Sequence, residues 1–416
     1  MALTESAVLA NELERVSPKV PTLFDREATW FSSIEKRPVE KVSARDMRIP
    51  LEIRPGGNFG HFDPDGGDLG LGDGPSFDKA VVSTVHLRHA VEWTKKAEWA
   101  TDDARKAVLN TFRHLLAKSM AEFRRHVDSL CMTGGDGVLG VVSATANGGG
   151  FDTIDLNTDG FGARLLRFGQ TINVYNAALS TNRTVGAEKK ITFHDLQAKQ
   201  IKIPTVAGII ATDKIVVGGL SATPPVSLLG IPYHHSNAST GSWLGFDRAT
   251  TPEIRANRVN ANGGLALPFP RLAINKIGDR VGMDYNAKLT AWMHPCQKQA
   301  YEELGQLVSI INKNAKQDNL DLYFSDNMQM AGAPVKTSFS WDKKRIDFVL
   351  SEVWGRAEMH PAGFYTVDGR KIFELRGASG GVKTSQIFYI TASFNLFVNN
   401  PAACSYIDGL SVPSGY

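Results

Sequence analysis

The chain has 416 residues, 42% hydrophobic and 21% charged, which is longer than one ordinary domain and apolar enough to bury real cores. A formal net charge of +3 argues against a dedicated nucleic-acid binder, while leaving room for a local basic face. Cys131, Cys296 and Cys404 are too few and too far apart for a disulfide framework or a zinc knuckle, and favour a reducing compartment.

The N-terminus carries Glu5, Glu12 and Glu14, and no stretch of roughly 18 apolar residues occurs, so neither a signal peptide nor a membrane span is expected. Residues 3–16 read as a short amphipathic helix. Beyond it Pro18, Pro21 and Pro38 punctuate a segment holding Phe24, Trp30, Phe31 and Ile34. This is an extended arm whose apolar anchors need covering, by this chain or by a neighbour. From Arg48 to Arg54 the pattern alternates, with Ile49, Leu51 and Ile53 on one face of a half-buried strand. Residues 55–75, PGGNFGHFDPDGGDLGLGDGP, cannot build a core and read as a long mobile loop. Strand resumes at Val81, with Val85, Leu87, Val91 and Trp93 on one face, so two strands and a glycine-rich tip make a hairpin.

Thr101 to Thr133 reads as one long helix. Thr101 caps it, Asp102 and Asp103 complement the dipole, and Gly134 and Gly135 stop it. Val108, Phe112, Leu115, Leu116, Met120, Phe123, Val127 and Leu130 form an apolar stripe opposite Arg105, Lys106, Arg113, Lys118, Arg124 and Arg125. At about 1.5 Å per residue the rod would be about 50 Å long. Residues 134–152 are glycine-rich and read as surface loop. INVYNAALS, KKITFH, KQIKIP and DKIVVGG then have strand composition, whereas residues 229–264 show little periodicity. Helices are expected at 271–282 and 296–311, with LTAWMHP a buried strand between them. RIDFVLSEVW, AGFYTVDG, KIFELRG and SQIFYITASFNLFVNN supply further strands.

Candidate chemistry fails on spacing. Gly377–Gly381 encloses Ser379 like a serine-protease nucleophile loop, but alanine replaces the usual acid and no His lies in an Ala-His-Cys context. Gly135, Gly137 and Gly140 match G-x-G-x-x-G, yet follow a helix and precede none, which removes the basis for phosphate binding. Asp63, Asp65, Asp68 and Asp73 suggest calcium, but an EF-hand register from Asp63 puts Gly67 and Gly74 where ligands belong. His234 and His235 are adjacent and so point apart on regular backbone, and H-E-x-x-H is absent. The sequons at Asn182 and Asn237 carry no meaning without secretion. No catalytic, cofactor-binding or metal residue is assigned, and no enzyme activity is expected.

The order of arm, glycine-tipped hairpin, long charged helix, central mixed region and closing strands resembles a tailed-bacteriophage major capsid protein of the Hong Kong 97 type, a fold shared by encapsulin shells. LLGIP at 228–232, GFDRATTPEIRAN at 245–257, AWMHP at 291–295 and YITASFNLFVNNPAACSYIDGL at 389–410 carry the resemblance, which covers roughly residues 20–412. It implies an α+β fold: an arm at 1–44, an extended β-hairpin loop at 45–84, and a peripheral domain at 85–134 with spine helix 101–133. An axial domain would follow at 135–334, with a β-rich part at 160–235, then peripheral strands at 335–384 and a closing strand at 385–416.

It further implies a self-assembling subunit, forming pentamers and hexamers in an icosahedral phage head around double-stranded DNA. The virion would be built in the host bacterial cytoplasm, with scaffolding, portal and decoration proteins as partners and no membrane. An encapsulin-type compartment for protein cargo is the alternative. DNA contact would be non-specific, through inner-face Lys and Arg. Arg105, Arg113 and Arg124 are candidates for intersubunit ion pairs, set against a plainly solvated face. Residues 48–78 contain no lysine and Lys79 lies at the loop base, so a non-covalent shell is expected. No long charged scaffold-like helix precedes the arm, implying a separate scaffold or a segment already removed.

Overall fold

The computed structural model describes residues 29–35, 39–42, 46–61, 65, 70–94, 105–157, 160–184, 187–282, 288–311, 328–367, 369–376, 379 and 381–415. The chain is mixed α+β and divides into two compact units. One comprises Met1–Ser32, Thr84–Asp128 and Glu358–Phe394; the other comprises Ser33–Ser83, Ser129–Ala357 and Asn395–Tyr416.

In the first unit, strand Val85–Thr94 pairs antiparallel along Ser385–Phe394, from Val85↔Phe394 to Thr94↔Ser385. The alternation of Val85, Leu87, Val91 and Trp93 foretold this ladder. Phe373–Arg376 joins the same long strand, and Phe388 packs between Trp93 and Phe364, with ring centroids 5.7 and 5.9 Å away. The arm's described anchors, Trp30, Phe31 and Ile34, are covered by this chain itself. Trp30 and Phe31 are buried, Phe31 stacks on Phe394 at 5.7 Å, and its amide donates to Asp128 Oδ1 at 2.9 Å. Thr29–Glu35, read as aperiodic arm, is a short helix, while residues 3–16 and Phe24 lie outside the described residues.

The long helix runs Arg105–Cys131, so 27 residues give a rod of about 40 Å. Residues 101–104, with the expected cap, lie outside the described residues, as do the side chains of 105–117. Phe123, Val127 and Leu130 are buried as the stripe required. Arg125 is not on a solvated face: it is 9% exposed and bonded to Glu122 at 2.6 Å, because this end of the helix is covered nearly all round. The stop is as read, with Thr133 bonded back to Leu130 and Gly135 at φ +93°. Gly230 abuts this turn so closely that a Cβ would lie 2.3 Å from the carbonyl oxygens of Cys131 and Thr133.

The second unit holds a six-stranded sheet in the order Asn257–Gly263, Ser405–Leu410, Ile346–Leu350, Leu289–Met293, Ala333–Thr337, Gln329–Met330. Leu289–Met293 and Ile346–Leu350 are buried at every residue, which is why neither alternates in sequence. Ile274 and Ile277 of helix Pro268–Val281 join Phe348 and Ile407 in its core. The second expected helix runs Pro295–Ile311. Asn257–Gly263, inside the aperiodic stretch, is a strand the composition hid.

The same unit contains a closed β-barrel. Seven strands follow in the order Lys189–Lys190, Thr171–Tyr175, Lys214–Val217, Val138–Gly148, Phe151–Leu156, Gln200–Pro204, Phe193–Asp195. The first and last of these are consecutive in the chain, and the Thr192 amide between them donates to the Lys202 carbonyl at 2.9 Å, so the sheet has no open end. Ile154, Ile172, Ile191, Ile201, Ile203 and Ile215 are wholly buried. Entry and exit are stitched together, by a Gly134–Leu229 bridge and a Ser227 amide donating to the Gly135 carbonyl at 2.8 Å. The expected surface loop at 134–152 is therefore wrong. Gly149 (φ +62°) and Gly150 (φ +84°) make a two-residue hairpin turn between barrel strands, and Gly140 fits where a Cβ would meet Leu156 at 3.3 Å.

Candidate functional site

The hairpin is the first feature with functional content. Asp46–Arg54 and Ser76–Ser83 pair from Asp46↔Ser83 to Arg54↔Ser76, so the second strand starts at Ser76, five residues before Val81. Cross-strand pairing carries it through Asp78 and Lys79, whose side chains are exposed. Its base is fastened to its own chain. Ala80 and Val82 are fully buried with Trp243, Leu244 and Phe246, and the Val81 amide donates to the Leu244 carbonyl at 2.9 Å. Toward the tip the legs stay adjacent, with the Gly57 amide on the Asp73 carbonyl at 2.8 Å. Among the described residues nothing covers Phe59 (99% exposed) or Leu71 (91%).

The second feature is a buried polar node. Asp347, 1% exposed, receives Arg345 Nη2 at 2.7 Å, Trp341 Nε1 at 3.0 Å and His235 Nδ1 at 3.0 Å. Arg345 also bonds the His235 carbonyl at 2.8 Å and lies over the Tyr406 ring at 4.1 Å. Burial alone would raise the Asp347 carboxyl; the Arg345 charge and the His235 hydrogen bond overcome this and hold it below the usual carboxylate range. His235 is likewise opposed by burial, yet Cys404 and the Asp347 carboxylate raise it to about 9. His234 goes the other way. Burial, then the His235 charge, lower it to about 3. Its bonds fit the neutral ring: Trp243 Nε1 donates to Nδ1 at 3.2 Å, leaving Nε2 to donate to the Leu396 carbonyl at 3.3 Å.

This node resembles a catalytic His–Asp pair only in outline. Both histidines are 0% exposed, and both Asp347 oxygens are held by Arg345 and Trp341, so the geometry fastens segments together. A cleft of about 400 Å³ beside it is lined by residues including Asp136, Phe161, Trp341, Asp342 and Arg345. Sequence reasoning missed the node because Asp347 lies 112 residues from His235. The adjacent histidines take different partners, His234 facing Trp243 and the Leu396 carbonyl and His235 facing Asp347, while helix Ile231–His234 ends at once, His235 takes φ −90° and ψ 63°, and both rings come within 5.4 Å of Trp354.

The remaining sequence candidates are not brought together. Ser379 is exposed in a turn, and Gly135, Gly137 and Gly140 lead into a barrel strand. Asp63 and Asp68 lie outside the described residues, Asp65 and Asp73 are exposed, and among the described residues no cluster of acid, His or Cys could hold a metal. Cys131, Cys296 and Cys404 are buried and form no disulfide with one another. Arg124 is exposed, whereas the side chains of Arg105 and Arg113 lie outside the described residues. No helix among the described residues is long and apolar enough to cross a membrane.

Comparison with solved structures supplies the fold. A chain of the cyanophage A-1(L) capsid asymmetric unit superposes with a TM-score of 0.59 at 11% identity, covering 95% of this chain and 96% of its own. The chain has a phage capsid fold. Two other similar chains belong to the bacteriophage PhiM1 mature capsid (TM-score 0.48, 10% identity, 96% of this chain and 93% of that one) and to the capsid of Myoviridae phage XM1 (0.47, 12%, 96% and 98%). No family model matches the sequence, and no curated protein is significantly similar to it.

Proposed function

We propose that this chain is the major capsid protein of a tailed bacteriophage: a structural, non-enzymatic subunit that assembles with copies of itself into an icosahedral head around double-stranded DNA. The observation that carries this reading is the capsid fold matched over 95% of the chain. The finer architecture is of the Hong Kong 97 type, with arm 1–44, extended loop 45–84, peripheral segments 85–134 and 335–384, axial domain 135–334 and closing segment 385–416. One feature supports it physically. A hairpin fixed at its base but apolar at its tip is suited to a neighbour's surface. Many such modest contacts, repeated by symmetry, add up in a closed shell.

Pentamers and hexamers, a scaffold, a portal, decoration proteins and assembly in the host cytoplasm complete the reading. The shell is non-covalent, since Lys79 at the loop base is the nearest lysine to the tip. Negative-stain microscopy of the expressed protein tests the proposal: closed particles are expected, and a protein monomeric under every assembly condition refutes it. Nucleic acid inside native particles separates a phage head from a protein-cargo compartment. Denaturing gels should give a monomer band; a ladder refutes the non-covalent shell.

A further inference from the structure

We infer that one face of the closed barrel receives the hairpin tip of a second copy of this chain. The inference rests on the self-assembly proposed above and names the surface on which the tip lands.

The barrel face is built by register. Lys202 pairs with Phe193 on one side and Thr153 on the other, and Pro204 pairs with Phe151, so Lys202, Phe193 and Phe151 share the outward side. Lys202 Nζ sits 5.1 Å from the Phe193 ring centroid. The Phe168–Gly169 turn lies against Lys190, whose Cε is 3.7 Å from where a Gly169 Cβ would be. Phe168 is 72% exposed, and Phe151 and Phe193 are each 41% exposed, on a barrel whose interior is already full of isoleucine. The acids nearby are engaged locally. Asp155 accepts from Gln200 at 2.7 Å, and Asp195 from the Gln197 and Ala198 amides at 2.8 and 3.0 Å. The face is thus aromatic, with Lys190 and Lys202 set beside Asp155 and Asp195, which accept from neutral donors and keep their charge.

The hairpin tip is its complement. Between Arg54 and Lys79 the sequence has five aspartates and no Lys or Arg, and Asp65, Asp73 and Asp78 are exposed. Beside them stand Phe59, Leu71 and Phe77, the last 65% exposed. Opposite charge steers the two surfaces together and fixes their register, and contact removes exposed apolar side chains on both from water. Duplex DNA is a poorer occupant, because its phosphates would satisfy the lysines and leave three phenylalanines wet.

Charge exchange in the full-length protein is the test. Lys190→Glu with Lys202→Glu should lower the assembled fraction about tenfold at fixed protein and salt, and so should Asp65→Lys with Asp73→Lys. The four substitutions together should restore it, with thermal unfolding of the unassembled subunit unchanged throughout. Normal assembly by either double variant overturns the inference, as does a quadruple variant no better than the doubles. Particles that form normally but lose their nucleic acid would place nucleic acid on the face and also overturn it. If the unsubstituted chain fails to assemble, it is the capsid reading that falls.

Discussion

In the barrel, Ile154, Ile172, Ile201 and Ile215 are fully buried, whereas at the hairpin tip Phe59 and Leu71 stand almost fully in water. Both regions are antiparallel β-structure from one compact unit. They differ in how the strand edges end. The barrel's first and last strands are consecutive in the chain and the Thr192 amide between them bonds the Lys202 carbonyl, so among the described residues the sheet closes on itself. The hairpin is a two-stranded ribbon, marginal alone, that borrows stability from Trp243 and Phe246 at its base, while among the described residues Phe59 and Leu71 stay exposed at its tip. A substitution should therefore register as lost folding in the closed interior and as lost assembly at the tip.

The largest effect is expected at the buried node. Asp347→Ala leaves the Arg345 guanidinium buried without its carboxylate, which should destabilise the subunit by about 3–5 kcal/mol in denaturant unfolding. Replacing Ile201 with Ala removes a wholly buried side chain from a closed, well-packed wall, with an expected loss of about 2–5 kcal/mol. If Ile201→Ala unfolds like the parent and only assembly suffers, the contrast between interior and tip is broken.

A smaller, signed effect comes from the two histidines. His234 is lowered to about 3, so the fold keeps it neutral while the unfolded chain protonates it; its contribution is complete above about 6.5 and drains away as pH falls toward 3. His235 is raised to about 9, so its contribution is complete below about 6.5 and is lost as pH rises through 9. Stability from the pair therefore peaks near pH 6.5. His234→Gln, which retains a donor and an acceptor, should flatten only the acid limb of a denaturation-midpoint profile. His235→Gln should flatten the alkaline limb and, by removing a charge that helps lower His234, also soften the acid limb.

How much of this could be read in advance follows the same division. Elements whose residues answer to a period were legible: Asp46–Arg54 alternates, Pro268–Val281 repeats at three and four, and Val85–Thr94 shows one face. Elements built by closure were not. The first barrel hairpin looked like loop because glycine dominated its composition, although Gly149-Gly150 between Val138–Gly148 and Phe151–Leu156 is itself a two-residue turn signal. The His234–His235–Asp347 node depends on one abrupt helix end and on a partner in a distant strand, and no local pattern encodes such a meeting. The exposed tip was legible for the opposite reason, since a segment of glycine and aspartate has no means of covering Phe59.

The smallest expected change in stability tests that tip most sharply. Phe59 is 99% exposed, so Phe59→Ser removes no intrachain packing and should shift subunit unfolding by less than about 0.5 kcal/mol. If the ring is buried only when a neighbour covers it, the same substitution should cost each contact about 1.5–3 kcal/mol of apolar burial, felt once per copy around a closed shell. The particle's disassembly midpoint in denaturant should then fall clearly while the isolated subunit's midpoint stays put. Equal shifts in both would mean the ring is already packed within its own chain. No shift in either would mean the tip stays in water even in the particle. Only a difference between subunit and particle fits a residue left uncovered by the fold and covered by assembly.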